Sequence, residues 1–235
     1  MRLLVTRPEP DASVFAEELR VRGHDPVIEP LLEFHTLAFD KAALRNANAI
    51  VITSGNTLRA IEGAAKQIAD IPVYCVGEET ARRARTMGFQ ELLSIADTAE
   101  QLASRIIATA RKGEPIIQLT GEHQAYDLAG ALAQEGLSIQ TLPVYSMEAR
   151  RELSPSVDAM LRAGELDGVI LMSPRTAGIY VSLCHRHAIG DCAKRPIYLC
   201  ISENVAAKLA SLEPDHVRVP VKPNRKALLD LLPTD

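Results

Sequence analysis

A chain of 235 residues has room for one large or two small domains, and its 47% hydrophobic and 24% charged residues are ordinary for a globular protein. The net charge of −4 disfavours a nucleic-acid-binding protein, and the short arginine runs at 82–85 and 150–151 are typical of solvated helix faces. No run reaches the roughly 18 apolar residues that span a bilayer. Four scattered cysteines favour a reduced cytoplasm.

Short apolar runs bounded by turn residues predict eight buried strands. In chain order these runs are 3–7, 27–31, 49–54, 72–77, 116–121, 141–145, 168–173 and 196–202. Most are followed by small polar residues and a stretch of helical period, and Ser54, Thr98 and Ser173 are suitable helix N-caps. Strands that alternate with helices in this way predict an α/β fold with parallel sheets.

The strand and helix pattern is duplicated along the chain. Three pairs of segments resemble each other in order and spacing, namely 3–31 with 116–145, 49–54 with 168–173, and 72–77 with 196–202. An internal repeat of this size predicts two similar units rather than one large sheet.

The repeat also predicts where the domains divide. One domain is expected at 37–145, and the other is discontinuous, formed by 1–33 and 149–235. The segments 34–36 and 146–148 then form a two-stranded linker. A ligand cleft between two such domains is the expected position of a functional site.

Small and polar residues follow most of the predicted strands, where ligands bind in open α/β sheets. Helix N-termini present free N–H groups there, so several of them would suit a ligand with many carboxylates. The candidate substrate-binding residues are Arg7, Thr53, Ser54, Gly77, Thr80, Gly121, Ser173, Arg175, Thr176 and Ser202. The alternative is that these residues only cap helices and form turns.

Tyr145 closes an apolar strand beside the predicted linker. Its hydroxyl could act as a weak acid in the cleft, or the ring could simply pack the crossover. Other chemistry has less support, because the chain has no GxGxxG, no Walker-type loop and no GxSxG elbow. The cluster Cys184-His185-Arg186-His187 with Cys192 does not have the spacing of a standard zinc site.

Short motifs along nearly the whole chain resemble the uroporphyrinogen-III synthase family. They are Val5-Thr6-Arg7-Pro8, Pro30-Leu31, Ile52-Thr53-Ser54-x-Asn56, Val76-Gly77-x-x-Thr80-Ala81, Gly121, Val144-Tyr145, and Ser173-Pro174 with Thr176-Ala177. The resemblance implies two flavodoxin-like domains joined by a two-stranded linker. It also implies an enzyme that needs no metal or organic cofactor.

The resemblance implies a lyase that closes hydroxymethylbilane, a linear tetrapyrrole with eight carboxylates, with loss of water and inversion of ring D. The resemblance maps Tyr145 to the tyrosine that is the family's best-supported catalytic candidate. The expected partners are this substrate and, transiently, hydroxymethylbilane synthase, with no membrane or nucleic acid and with the chain itself monomeric. One departure is Val205, where the family commonly has a threonine, so that side chain cannot donate a hydrogen bond.

Two alternatives belong to other functional classes. A two-domain small-molecule-binding or regulatory protein of periplasmic-binding type, without catalysis, is disfavoured because the N-terminal apolar run is too short for a signal segment. A tandem receiver is disfavoured because its first strand would end in acidic residues, and here it ends in Thr6 and Arg7.

Overall fold

The computed structural model describes residues 1–124 and 126–233, without the side chain of Arg45. The strands are β1 (Arg2–Val5), β2 (Asp25–Ile28), β3 (Leu32–Thr36), β4 (Ala49–Ile52), β5 (Val73–Val76), β6 (Leu92–Ala96), β7 (Ile116–Gly121), β8 (Ile139–Ala149), β9 (Gly168–Leu171), β10 (Ile197–Cys200) and β11 (His216–Arg218). All eight predicted strands are present, so those predictions are confirmed apart from their end residues.

Helices fill the intervals between most strands. They are α1 (Asp11–Val21), α2 (Gly55–Ile61), α3 (Ala65–Ile68), α4 (Glu78–Thr86), α5 (Ala99–Thr109), α6 (Leu128–Gln134), α7 (Pro155–Ala163), α8 (Pro174–Arg186), α9 (Glu203–Ala206) and α10 (Arg225–Leu229). Short 3-10 helices lie at Lys41–Asn46, Glu62–Ala64, Cys192–Lys194 and Ala207–Leu212. The helix that follows β10 is short, and it continues as a 3-10 helix.

Three predicted helix N-caps are confirmed. Ser54 Oγ accepts from Asn56 N, Thr98 Oγ1 from Gln101 N, and Ser173 Oγ from Thr176 N. Each side chain satisfies an amide that the first helical turn leaves without a partner.

The chain divides into two compact units, one formed by Met1–Glu33 with Glu148–Asp235 and the other by Phe34–Met147. Both unit boundaries fall inside strands, namely β3 and β8. The assignment of 34–36 and 146–148 as linkers between two domains remains a prediction.

The first unit has a five-stranded sheet in the order β2-β1-β9-β10-β11. All four pairings in this sheet are parallel. Numbered by their order within the unit, the strands run 2-1-3-4-5, which is the flavodoxin-like arrangement. The core is aliphatic, with Tyr180 and Tyr198 as its largest fully buried side chains.

The second unit has a six-stranded sheet in the order β3-β8-β7-β4-β5-β6. From β8 to β6 the pairings are parallel. This order matches the first unit if β7 and β8 are placed before β4, as the sequence repeat predicts, so the unit is a circular permutation of the same arrangement. The predicted class, two flavodoxin-like domains with parallel sheets, is confirmed.

Candidate functional site

A cavity of about 250 Å³ lies at the carboxyl ends of the central strands of the second unit. Neutral polar and apolar side chains form most of its lining. The lining residues are Thr53, Ser54, Val76, Ala99, Gln118, Thr120, His123, Gln124, Tyr126, Leu128 and Tyr145. Among the described residues, His123 is the one lining side chain with an ionisable nitrogen, and no Arg, Lys, Asp or Glu takes part.

Tyr145 contributes a largely buried ring to this lining. It is only 9% exposed, and its ring stacks on Phe34 with 5.5 Å between the centroids and 22° between the planes. The guanidinium carbon of Arg59 lies 4.1 Å from the centroid of the Phe34 ring. Stacking and cation–π attraction therefore hold the tyrosine ring in one orientation.

Gly121 gives Tyr145 the space that this orientation requires. A Cβ atom at position 121 would lie 2.6 Å from Tyr145 Cζ and 3.0 Å from its hydroxyl oxygen. The register of β7 against β8 shifts here, since Thr120 pairs with Pro143 but Gly121 pairs with Tyr145. An irregularity of this kind re-aims the side chains at a strand end.

The structure brings some of the predicted residues together and leaves others apart. Thr53 and Ser54 line the cavity with Tyr145, and Gly121 underlies the tyrosine ring. Gly77 is the N-cap residue of α4 with a φ of +83°, and buried Thr80 follows on that helix, but neither lines the cavity.

The candidates in the first unit lie at the ends of three adjacent strands, β1, β9 and β10. Arg7 binds Asp11 at 2.7 Å, which engages its guanidinium within its own unit. Ser173 Oγ lies 2.8 Å from Thr176 Oγ1, and Thr176 is 5% exposed. Ser202 begins α9 without a side-chain cap hydrogen bond.

Arg175 lies in an arginine-rich groove of about 580 Å³ in the first unit. Arg150, Arg151 and Arg186 also line it, and Arg150 forms ion pairs with Glu29 at 3.3 Å and Glu33 at 3.4 Å. The predicted substrate-binding roles of Arg175 and the other candidates remain predictions.

The sequence profile of the family described as "Uroporphyrinogen-III synthase HemD" matches residues 13–230, which is most of the chain. This chain belongs to the uroporphyrinogen-III synthase family. A uroporphyrinogen-III synthase of Chlorobaculum parvum is 27% identical over 187 residues, which cover 74% of this chain and 76% of that protein.

Two solved structures share the fold. The uroporphyrinogen-III synthetase of Helicobacter pylori matches with a TM-score of 0.67 and 18% identity, covering 98% of this chain and 96% of its own. A variant uroporphyrinogen-III synthase of Thermus thermophilus matches with a TM-score of 0.55 and 15% identity, with the same coverage. These likenesses support the two-unit α/β fold of the uroporphyrinogen-III synthase family for this chain.

The residue at which this chain departs from the family pattern is part of the core. Val205 is fully buried, so its side chain packs inside the first unit and offers nothing to a ligand. The carbonyl oxygen of Ser202 accepts a hydrogen bond from Val205 N at 3.0 Å, so this backbone group is engaged within the first turn of α9.

Each residue of the cluster Cys184, His185, His187 and Cys192 has local contacts of its own, and Cys192 packs partly buried against the core of the first unit. Burial raises the pKa of Cys184 to about 12, and His187 Nδ1 lies 3.0 Å from Asp158 Oδ1. His185 Nε2 lies 3.1 Å from Ser211 Oγ. Within residues 1–124 and 126–233, no group of three or more His, Cys, Asp or Glu side chains is arranged to hold a metal ion.

The arginine run on α4 and the apolar character of the helices were both subjects of expectations from the sequence. The arginine run on α4 is exposed as predicted, and Arg82 pairs with Glu79 at 2.6 Å on the same helix. None of the helices in the described parts of the chain has the length and apolar character that crossing a bilayer requires.

Sequence reasoning missed the residues that hold Tyr145 and one buried polar side chain of the cavity. Phe34 and Arg59 come from β3 and α2, far from Tyr145 in the chain, so no local pattern joins them. Gln118 did carry a signal, because it is a polar residue inside the apolar run of β7.

Proposed function

We propose that this chain is a uroporphyrinogen-III synthase, which cyclises hydroxymethylbilane to uroporphyrinogen III with loss of water and inversion of ring D. The family match over residues 13–230 carries the proposal. It supports catalysis over the alternative of a non-catalytic binding or regulatory protein.

The reaction needs few acidic or basic side chains from the protein. The electron-rich pyrroles of the substrate expel the terminal hydroxyl, which takes up a proton and leaves as water. The substituted carbon of ring D attacks the electrophilic carbon that remains, and the resulting spiro intermediate rearranges to the inverted ring. The protein must chiefly hold the reacting rings together, and orientation of this kind can lower a barrier by roughly 7–11 kcal/mol.

Tyr145 is the residue to which we assign the proton that the departing hydroxyl requires. Its ring lines the cavity, stacks on Phe34, and occupies the space that the absence of a side chain at Gly121 leaves open. The phenol donates its proton as the C–O bond breaks, and the tyrosinate recovers a proton when the cyclised product loses one. General-acid help of this kind is worth roughly 10²- to 10⁴-fold in rate.

Hydroxymethylbilane synthase is the enzyme that we propose delivers the substrate, by transient contact with a monomer of this chain. The lyase reaction class, the cytoplasmic location and the remaining site residues belong to the same proposal. No metal or organic cofactor is included in it.

The test of the Tyr145 assignment is its replacement by phenylalanine, which removes one hydroxyl and keeps the ring stacked on Phe34. We expect kcat for uroporphyrinogen III formation to fall by up to roughly 10²-fold. Tyr74→Phe is the matched control, because that hydroxyl lies 3.4 Å from Thr109 Oγ1 and does not line the cavity.

The product isomer locates the step that the tyrosine serves. A slow Tyr145→Phe variant that still forms only the type III isomer agrees with help to water loss. Release of the uninverted type I isomer would mean that Tyr145 folds the substrate, and a rate within a few-fold of the parent would contradict the acid role.

A further inference from the structure

The uncharged cavity of the second unit contains an acceptor with no partner. Gln118 is 2% exposed, and its Nε2 donates to Gln124 Oε1 at 3.0 Å. Its Oε1 atom is buried and has no hydrogen-bond partner among the described residues. This carbonyl can accept two hydrogen bonds, no described residue donates either of them, and Gln118 is part of the cavity lining.

An unpaired amide oxygen is unusual at this position. Gln118 lies in the central strand β7, whose six residues are all buried, and its neighbours Ile117 and Leu119 belong to the apolar core. A buried carbonyl without a donor destabilises a fold, whereas an apolar side chain of similar shape would not. The arrangement is explained if a ligand supplies the missing donor.

The cavity defines the chemistry of that ligand group. The group donates a hydrogen bond, and an uncharged group suits a lining to which no described Arg or Lys contributes and in which His123 is the one side chain with an ionisable nitrogen. A volume of about 250 Å³ falls below the roughly 300–1,000 Å³ typical of sites for a complete small ligand. One heteroaromatic ring fits these limits, and four linked rings do not.

We propose that the cavity binds one pyrrole ring of the substrate and that Gln118 Oε1 accepts the hydrogen bond of its N–H. The inference rests on the proposed function, since the tetrapyrrole supplies the ring. Gln118 is then a positioning residue that selects the pyrrole N–H, while the ring's carboxylates extend out of the cavity.

Two stable probes test the hydrogen bond directly. The first is a monopyrrole with one acetate and one propionate, and the second is its furan counterpart, in which oxygen replaces the N–H. Neither has a hydroxymethyl group, so the substrate's hydroxyl cannot supply the donor. Binding to the wild-type chain is measured by titration calorimetry, and we expect the pyrrole to bind about tenfold more tightly than the furan.

Gln118→Met keeps the length of the side chain and removes its carbonyl. We expect this variant to bind the pyrrole more weakly than the wild-type chain does. Its affinities for the two probes should then lie within about twofold of each other. Gln140→Met is the matched control, an exposed glutamine of β8, and it should keep the tenfold preference.

Several results would overturn the assignment. They are the absence of pyrrole binding by the wild type, equal affinities for the two probes, and a preference that survives in Gln118→Met. A preference for the furan would mean that the amide nitrogen faces the cavity. The wild-type comparison needs no variant, so a Gln118→Met chain that fails to fold leaves the proposal testable.

The reaction with hydroxymethylbilane separates this inference from the function itself. A wild-type chain that forms no type III product contradicts the proposed function. A chain that forms type III product but does not distinguish pyrrole from furan contradicts only the role of Gln118. We expect Gln118→Met to raise KM about tenfold with a smaller change in kcat, because the hydrogen bond is already present in the bound substrate.

Discussion

Gly121→Ala is the most direct perturbation of the tyrosine at the cavity. The φ angle of Gly121 is not in the left-handed range, so alanine adds no backbone strain and the whole effect comes from the new methyl group. Its Cβ would lie 2.6 Å from Tyr145 Cζ, whereas ordinary contact begins at 3.4 Å. The ring must therefore retreat by about 0.8 Å, and overpacking of this kind costs about 1–3 kcal/mol.

Retreat of the ring also moves the hydroxyl that we assign to catalysis. Phe34 stacks on the ring, and Arg59 lies over Phe34, so the tyrosine cannot swing away without disturbing both contacts. A misplacement near 1 Å can cost about 10²-fold in rate. We expect kcat to fall by roughly 10- to 100-fold, with the residual product still of type III.

The assay combines urea unfolding with the rate of uroporphyrinogen III formation per folded molecule. Gly63→Ala is the control, because a Cβ there meets nothing within 4 Å. In the double variant Gly121→Ala/Tyr145→Ala the ring that the new methyl group would touch is gone. Relative to Tyr145→Ala alone, the alanine at 121 should therefore not lower the free energy of unfolding. A Gly121→Ala chain with parental stability and rate would refute the packing of Tyr145 against Gly121.

The remaining predictions concern helix caps and buried thiols. Ser54→Ala and Ser173→Ala should each lower stability in urea by about 1 kcal/mol and weaken substrate handling modestly. If activity per folded molecule is unchanged, both residues are only caps. Burial raises the pKa of Cys75 to about 11 and of Cys184 and Cys200 to about 12. The folded chain thus holds these protons above pH 9, where the unfolded chain loses them, so stability falls between about pH 9 and 11, by up to about 4 kcal/mol per pH unit near pH 10. Urea midpoints that stay constant between pH 8 and 10.5 would contradict this.

The sequence predicts the strands well where an apolar run is continuous and buried. The runs that form β4, β7 and β9 are fully buried in the structure. The strands that sequence reasoning missed are those where this signal is weak. β6 contains a serine and is partly exposed, and β11 is exposed at all three residues.

The duplication allows more of the fold to be predicted than single strands do. Pairing 3–31 with 116–145 makes β7 and β8 equivalent to β1 and β2, and that equivalence explains the permuted strand order of the second unit. Handedness and strand order follow from such a repeat because parallel connections in one sheet are almost always right-handed.

The site could be predicted only in part. Ser54 follows from its position just after β4, because strand ends are set by local sequence. Tyr145 does line the cavity, but the expectation that it closes its strand is wrong, since β8 continues to Ala149. The stack of Arg59 on Phe34 depends on contacts between separate elements, which composition and periodicity do not report. Gly121 was singled out as a substrate contact, and the structure adds a packing reason for a glycine at that position.

The central claim is that this chain directs the inversion of ring D. The most direct measurement is incubation of the purified chain with hydroxymethylbilane generated enzymatically, followed by oxidation and separation of the product isomers. The account predicts that the type III isomer predominates and that its share rises with the amount of the chain. Type I product at the level found without the chain would contradict the claim.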